Sequence, residues 1–172
     1  LASAADGGLI AAGATEPPGR GLDGWLLALD SQGEVRWQAA YGGLGDEAFH
    51  GLTAAADGAF IAAGQTDSWG EGGLDGWVVK IAPDGSPQWQ AVLGSPDSDV
   101  LLAVDAAGEG SVLAGQRGWY GPGRGQAWVV RMDRDGGVLW QVEAGGREDE
   151  RLYGVWAADD GRIHAVGRTE ST

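Results

Sequence analysis

The side chains of this chain best suited to chemistry are carboxylates, and they recur at regular intervals. Asp46-Glu47, Asp97 with Asp99, and Asp149-Glu150 each precede a short apolar run. Hard cations take carboxylate and carbonyl oxygens, which makes calcium the natural ligand to test these six residues for. No segment reproduces a complete calcium loop of the EF-hand kind, and acidic side chains in turns also bond their own backbone, so solvated turn acids are the competing reading. Asp23, Asp67, Glu71 and Asp75 fall in loops expected on the same face. The two histidines, His50 and His164, lie about two units apart, too far for a shared metal or acid-base site. With no cysteine there is no disulfide, thiolate zinc site or thiol nucleophile. No serine sits in a nucleophile elbow with a paired base and oxyanion donors, so no catalytic residue and no cofactor-binding residue is assigned.

Aromatic residues in loops form the second candidate set. The three loops read ATEPPGRGLDG, QTDSWGEGGLDG and QRGWYGPGRGQA, which places Trp69, Trp119 and Tyr120 outside any repeated position. Rigid rings held above a scaffold are favoured contacts for glycans or peptides. The alternative is that they fold over the edges of the structure as a lid on its core.

Both sets are positioned by an internal repeat. The stretch GLDGWVVKIAPDGSPQWQAVLG from Gly73 to Gly94 recurs as GLDGWLLALDSQGEVRWQAAYG from Gly21 and GQAWVVRMDRDGGVLWQVEAG from Gly125. Trp25, Trp77 and Trp128 therefore share one register, and Trp37, Trp89 and Trp140 another. A period of about 50 residues marks a repeat architecture, in which one supersecondary unit is copied because it cannot bury its apolar face alone. The array occupies residues 1–172, as units 1–51, 52–103 and 104–154 and a partial unit 155–172.

Each unit opens on two apolar runs around a tight turn, as in LTAAADGAFIAAG, a hairpin signal that gives strands A and B. Strand C follows a glycine-rich loop, with Trp77, Val79 and Ile81 alternating with Val78 and Lys80. Pro83-Asp84-Gly85 turns the chain into strand D, where Trp89 takes one face and Gln88 and Gln90 the other. No segment holds a helical period. Four short antiparallel strands per unit predict an all-β fold, a β-propeller-type repeat of about three and a half blades. Small residues dominate A and B, where blades converge, and tryptophans sit on C and D, where they widen. All six matched indoles are expected between sheets. Fourteen strands fall short of the usual ring, and the strand near Ile163 to Val166 is expected as an unpaired edge that recruits partners.

Composition narrows the partners. A net charge of −14, from 25 acidic and 11 basic residues, opposes nucleic-acid phosphates and anionic membranes. No apolar run reaches the roughly 18 residues of a membrane helix, so membrane insertion is not expected either. The opening on Leu1 inside a repeat suggests a mature, cleaved or partial product.

The unit resembles the Trp-rich propeller repeats of bacterial secreted and cell-surface proteins, which read approximately DGWLLKLDxxGxVxWQxxYGGxGDE. Unit one carries the likeness through Asp23-Gly24-Trp25, Leu29-Asp30, Trp37-Gln38, Tyr41-Gly42-Gly43 and Gly45-Asp46-Glu47. Unit three departs from it with Gln126-Ala127 before Trp128. The resemblance implies the fold and an extracellular, cell-surface or periplasmic setting, and no single activity. The Asp-x-x-Gly turn before a tryptophan, Asp30 to Trp37 and Asp133 to Trp140, is also similar to quinoprotein dehydrogenase repeats. That likeness implies a pyrroloquinoline cofactor on a complete ring, in many members with adjacent cysteines, which this chain lacks. Sialidase-type propellers share the turn too, as a structural element.

Two functional expectations follow. One is a non-catalytic structural or adhesive scaffold that presents its loops to a protein or glycan and associates with itself or with further blades, without cofactor unless calcium binds. The alternative is part of an enzyme or of a cofactor-bearing, quinoprotein-like propeller.

Overall fold

A computed structural model describes residues 1–119 and 125–171. Among them there are fourteen strands and no helix. Four-stranded antiparallel sheet one contains β1 (Ala2–Ser3), β2 (Leu9–Thr15), β3 (Asp23–Leu29) and β4 (Val35–Tyr41). Sheet two contains β5 (Glu47–Ala54), β6 (Phe60–Thr66), β7 (Asp75–Ile81) and β8 (Pro87–Leu93). Sheet three contains β9 (Ser98–Ala107), β10 (Gly110–Trp119), β11 (Gln126–Met132) and β12 (Val138–Ala144). A two-stranded sheet of β13 (Glu150–Ala157) and β14 (Ile163–Thr169) follows. The strands of each sheet lie in chain order, so each sheet is a meander. The fold is a run of propeller-type blades, three complete and one half, and it does not close into a ring.

The repeat survives in the pairing. Gly13 faces Trp25, Gly64 faces Trp77 and Gly115 faces Trp128 across the second and third strands of successive sheets. Each outer hairpin is bulged one residue before its tryptophan, because Ala28 pairs Trp37 and Leu29 pairs Val35, a pattern repeated at Trp89 and Trp140. The extra residues, Arg36, Gln88 and Leu139, are re-aimed by the bulge.

Three hydrophobic clusters lie between sheets. Ile10, Leu26 and Ala28 of sheet one meet Phe49, Phe60, Trp77, Val79 and Ile81 of sheet two. On the other side of sheet two, Ile61, Ala63 and Val78 meet Leu101, Leu113, Trp128, Val130 and Met132 of sheet three. Sheet three then packs Val112 and Ala114 against Val155 of the half-blade. Sheet two has a neighbour on each face, so every residue of β7 is buried, Lys80 included. The Lys80 ammonium reaches Asp57 at 2.6 Å and keeps its charge paired.

The tryptophans divide by position. Trp77 and Trp128 are 1% exposed, because each lies against the sheet before it. Gly24 makes room for this, since a Cβ there would stand 2.9 Å from Trp77 Cζ3 and 2.8 Å from Phe49 Cε2. Trp25 has no preceding sheet and is half-buried. Trp37 and Trp89 are also half-buried, each packed on the following sheet. The expectation that all six indoles lie between sheets fails at Trp25 and at Trp140, which is 42% exposed because the half-blade beyond it brings only two strands.

Candidate functional site

The recurring carboxylates sit at the junctions between sheets, and the structure gives them a common task. Glu47, fully buried, accepts from the Thr66 hydroxyl at 2.7 Å, from Ser68 N at 3.3 Å and from Gly43 N at 2.7 Å. Glu150 repeats this with the Thr169 hydroxyl at 2.9 Å, Ser171 N at 3.3 Å and Gly146 N at 3.1 Å. Asp99 does the same with Ser95 N at 2.5 Å, the Ser95 hydroxyl at 2.9 Å and Gly118 N at 2.8 Å. Each carboxylate ties the start of one sheet to the loop before it and to the end of its own second strand. The Ser171 side chain above all, with Gly146 N and the Thr169 hydroxyl, holds the Glu150 carboxyl below its ordinary value, as expected when donors stabilise the charged form.

The preceding position anchors the adjoining loop. Asp46 accepts from Leu22 N at 2.7 Å and Asp149 from Gly125 N at 2.9 Å, while Ser98, not Asp97, takes this place with Leu74 N at 3.3 Å. The six calcium candidates thus lie in pairs at three separate junctions. Among the described residues no group of three or more histidines, aspartates or glutamates stands where it could hold a metal ion. The two histidines are also apart: His50 Nε2 meets Gln65 Oε1 at 3.2 Å, and His164 stacks on Trp156 at 4.9 Å between ring centroids.

Asp23 and Asp75 do not ring the surface as expected. They are 5% and 1% exposed, drawn under the loops by the strands they begin. A Cβ at Gly42 would collide with oxygens of both Asp23 and Glu47, and one at Gly94 with oxygens of both Asp75 and Asp99, so each buried aspartate faces a junction carboxylate. Among the described residues, Asp23 Oδ1 and Asp75 Oδ2 find no hydrogen-bond partner. Burial, then the Asp99 charge, pushes the Asp75 carboxyl up to about 6. Gln126 takes the equivalent place beside Glu150, where a neutral amide replaces the acid.

A groove lies between the outer strands of sheets one and two. It encloses about 500 Å³ and is lined chiefly by Tyr41, Trp69, Trp77, Gln88, Trp89 and Gln90. Trp77 forms its inner wall, stacked on Phe49 at 4.7 Å and bonded through its indole N–H to Gln90 Oε1 at 3.1 Å. Trp69 leans over Trp77 at 5.9 Å and 38° between ring planes, with 37% of its surface exposed. Trp69 thus covers a core ring, as the lid reading expects, while part of its surface stays open to solvent. Among the described residues no charged side chain lines the groove. At the next junction Arg117 lies 5.6 Å over the Trp128 ring and bonds Glu143 at 2.8 Å, so an ion pair fills the corresponding space. Trp119 ends β10, but its side chain and the whole of Tyr120 lie outside the described residues. Sequence reasoning missed Tyr41, Gln88 and Gln90 as lining residues. The Trp-Gln pair common to all three units was the available signal, and the Gln90 bond to Trp77 recurs as Gln141 to Trp128 at 3.1 Å.

No protein-family model matches the chain, and no curated protein matches it. A crystal structure of a protein of unknown function from Bacteroides caccae superposes with a TM-score of 0.55 at 12% sequence identity, covering 90% of this chain and 49% of its own. The chain spans about half the length of that solved chain. At this identity the likeness concerns the fold alone.

Proposed function

We propose that this chain is a non-catalytic interaction scaffold, a run of propeller blades that works within a larger ring or assembly and presents its loops and edge grooves to a protein or glycan. One contrast carries the reading. Trp37 and Trp89 each rest on a turn of the following sheet, whereas Trp140 on the exposed β12 rests on none. Val138, Leu139 and Val142 are exposed beside it, and an apolar face of this kind on a strongly charged chain marks a surface covered in use. The internal repeat indicates what covers it: the glycine-ended turn of an outer hairpin, as Pro83-Asp84-Gly85 and Arg134-Asp135-Gly136 cover Trp37 and Trp89, from a further blade or another copy. The carboxylates support a non-catalytic role, since the junction acids are occupied by backbone and hydroxyl donors. The likeness to secreted repeats supports a setting outside the cytoplasm.

Light scattering over a range of concentrations tests the reading alongside Trp140→Glu. The expected result is a self-associated species that the substitution disperses without changing the fold. A monomer at every concentration, with Trp140 open to a soluble quencher, would remove covering by copies.

A further inference from the structure

We infer that the groove between sheets one and two is a subsite for a neutral saccharide, which stacks on Trp69 and hydrogen-bonds to the side-chain amides of Gln88 and Gln90. The inference rests on the scaffold reading and names the ligand class for one of its surfaces.

Three observations converge on this chemistry. First, the exposed face of Trp69 is presented at a fixed tilt by the Trp77 ring beneath it, which is itself immobilised between Phe49 and Gln90. A pre-set aromatic face binds the apolar C–H side of a pyranose ring with little ordering cost. Second, the groove combines an aromatic wall with amides and excludes charge, although 21% of the chain is charged. Such a surface disfavours ions and suits a ligand that is polar, uncharged and rich in hydroxyls. Its volume of about 500 Å³ lies within the range of small-molecule sites.

Third, the combination occurs once among the described residues, within an otherwise repeated frame. Gln88 is the bulged residue of β8, the device by which sheets re-aim a side chain. Its counterparts serve other ends: Arg36 pairs with Asp6, and Leu139 is an exposed apolar residue. Gln90 spends its carbonyl oxygen on Trp77 and keeps its amide N–H groups for a ligand. The Trp–Gln bond belongs to the repeated frame, as Trp77 to Gln90 and Trp128 to Gln141, whereas Gln88 has no glutamine counterpart at the other bulges.

The test uses the whole chain with chitotriose, cellotriose and maltotriose, read by saturation-transfer NMR and calorimetry, and oligogalacturonate as a charged control. At least one neutral trisaccharide should bind and the charged one should not. Trp69→Ala should weaken binding at least about tenfold and Gln88→Ala about threefold, as for a central anchor and a flanking contact. Arg36→Ala, at the same bulge of sheet one, should leave affinity unchanged. Thermal melting confirms that each variant is folded, and Gln88→Ala serves if Trp69→Ala is not. Failure of all three neutral sugars, or unchanged affinity in both groove variants, overturns the inference. Binding of an uncharged extended peptide in their place would assign the groove to β-strand addition along β4 and overturn it equally. A chain that binds sugar but never self-associates would uphold this site while counting against the covered Trp140 face, so the two readings fail separately.

Discussion

The indole N–H of Trp37 donates to the carbonyl oxygen of Pro83 at 3.0 Å, so a side chain on the edge of one sheet grips the turn of the next. Trp89 repeats the bond to Arg134 at 3.1 Å. Beside Trp37, the Tyr41 hydroxyl adds a bond to Gly85 O at 2.6 Å, and burial pushes that phenol up to about 12.

The first prediction follows from this grip. Trp89→Ala should destabilise the chain by about 2–4 kcal/mol, somewhat below a full core truncation because the ring is half-buried. Trp140→Ala should change stability by less than about 1 kcal/mol, as for a surface residue. Urea denaturation of the two variants checks the pair, and equal losses would show that the inter-sheet bond carries no weight.

The turn offers a reciprocal test. Gly85 has φ +89°, and a Cβ there would stand 3.1 Å from Trp37 Cε3; Gly33 has φ +84° with nothing within 4 Å. Alanine at either position incurs left-handed strain of about 1–2 kcal/mol. Gly85→Ala should lose about a further 1 kcal/mol through crowding of the indole. Matching denaturation midpoints for the two variants would contradict this.

Glu47→Ala would strand the buried Thr66 hydroxyl and the half-buried Gly43 N–H, while Ser68 N–H keeps its bond to Thr66 Oγ1 at 3.0 Å. At about 1–3 kcal/mol for a buried group left unsatisfied, and less for one that water can reach, the loss should be about 2 kcal/mol or more, with Glu47→Gln intermediate. Calcium at millimolar concentration should leave the melting temperature of the native chain unchanged, because these oxygens already accept protein donors. A calcium-dependent rise would reinstate a cation site.

Asp75 gives the pH dependence. Its folded value of about 6 exceeds the unfolded carboxyl value of about 3.9, so the native state binds more protons between those limits. This contribution is complete below pH 4, falls away as pH rises to 6 and is flat above. Asp75→Asn, which imitates the neutral amide of Gln126, should remove that slope and make the chain more stable than wild type above pH 6. Urea midpoints from pH 4 to 8 would show it; parallel profiles would refute it.

The strands were legible because the tryptophan registers and glycine turns are local signals, and these extend to every hairpin, including the bulged ones. Burial was less legible, since it depends on neighbours in space. Trp140 has the same sequence context as Trp89 but no third and fourth strands beyond it. Asp23 and Asp75 precede a glycine and a tryptophan in a loop-like setting, yet strand pairing draws them inside. Glu47, Asp99 and Glu150 read as surface acids because their partners, such as Thr66 and Ser68, lie about twenty residues away. The groove was half visible: Trp69 stood out as unrepeated, whereas Gln88 gained its place from a bulge that no residue type announces.

A chain jointed in this way has a mechanical character. Sheets one and two are each fastened to the sheet that follows by an edge indole, and every junction carries a buried acid, so tension applied at the two ends should release one sheet at a time. With about 50 residues per step and about 3.4 Å per residue when extended, each release would lengthen the molecule by about 170 Å. The half-blade, joined without such an indole bond, would be the first to give way under load.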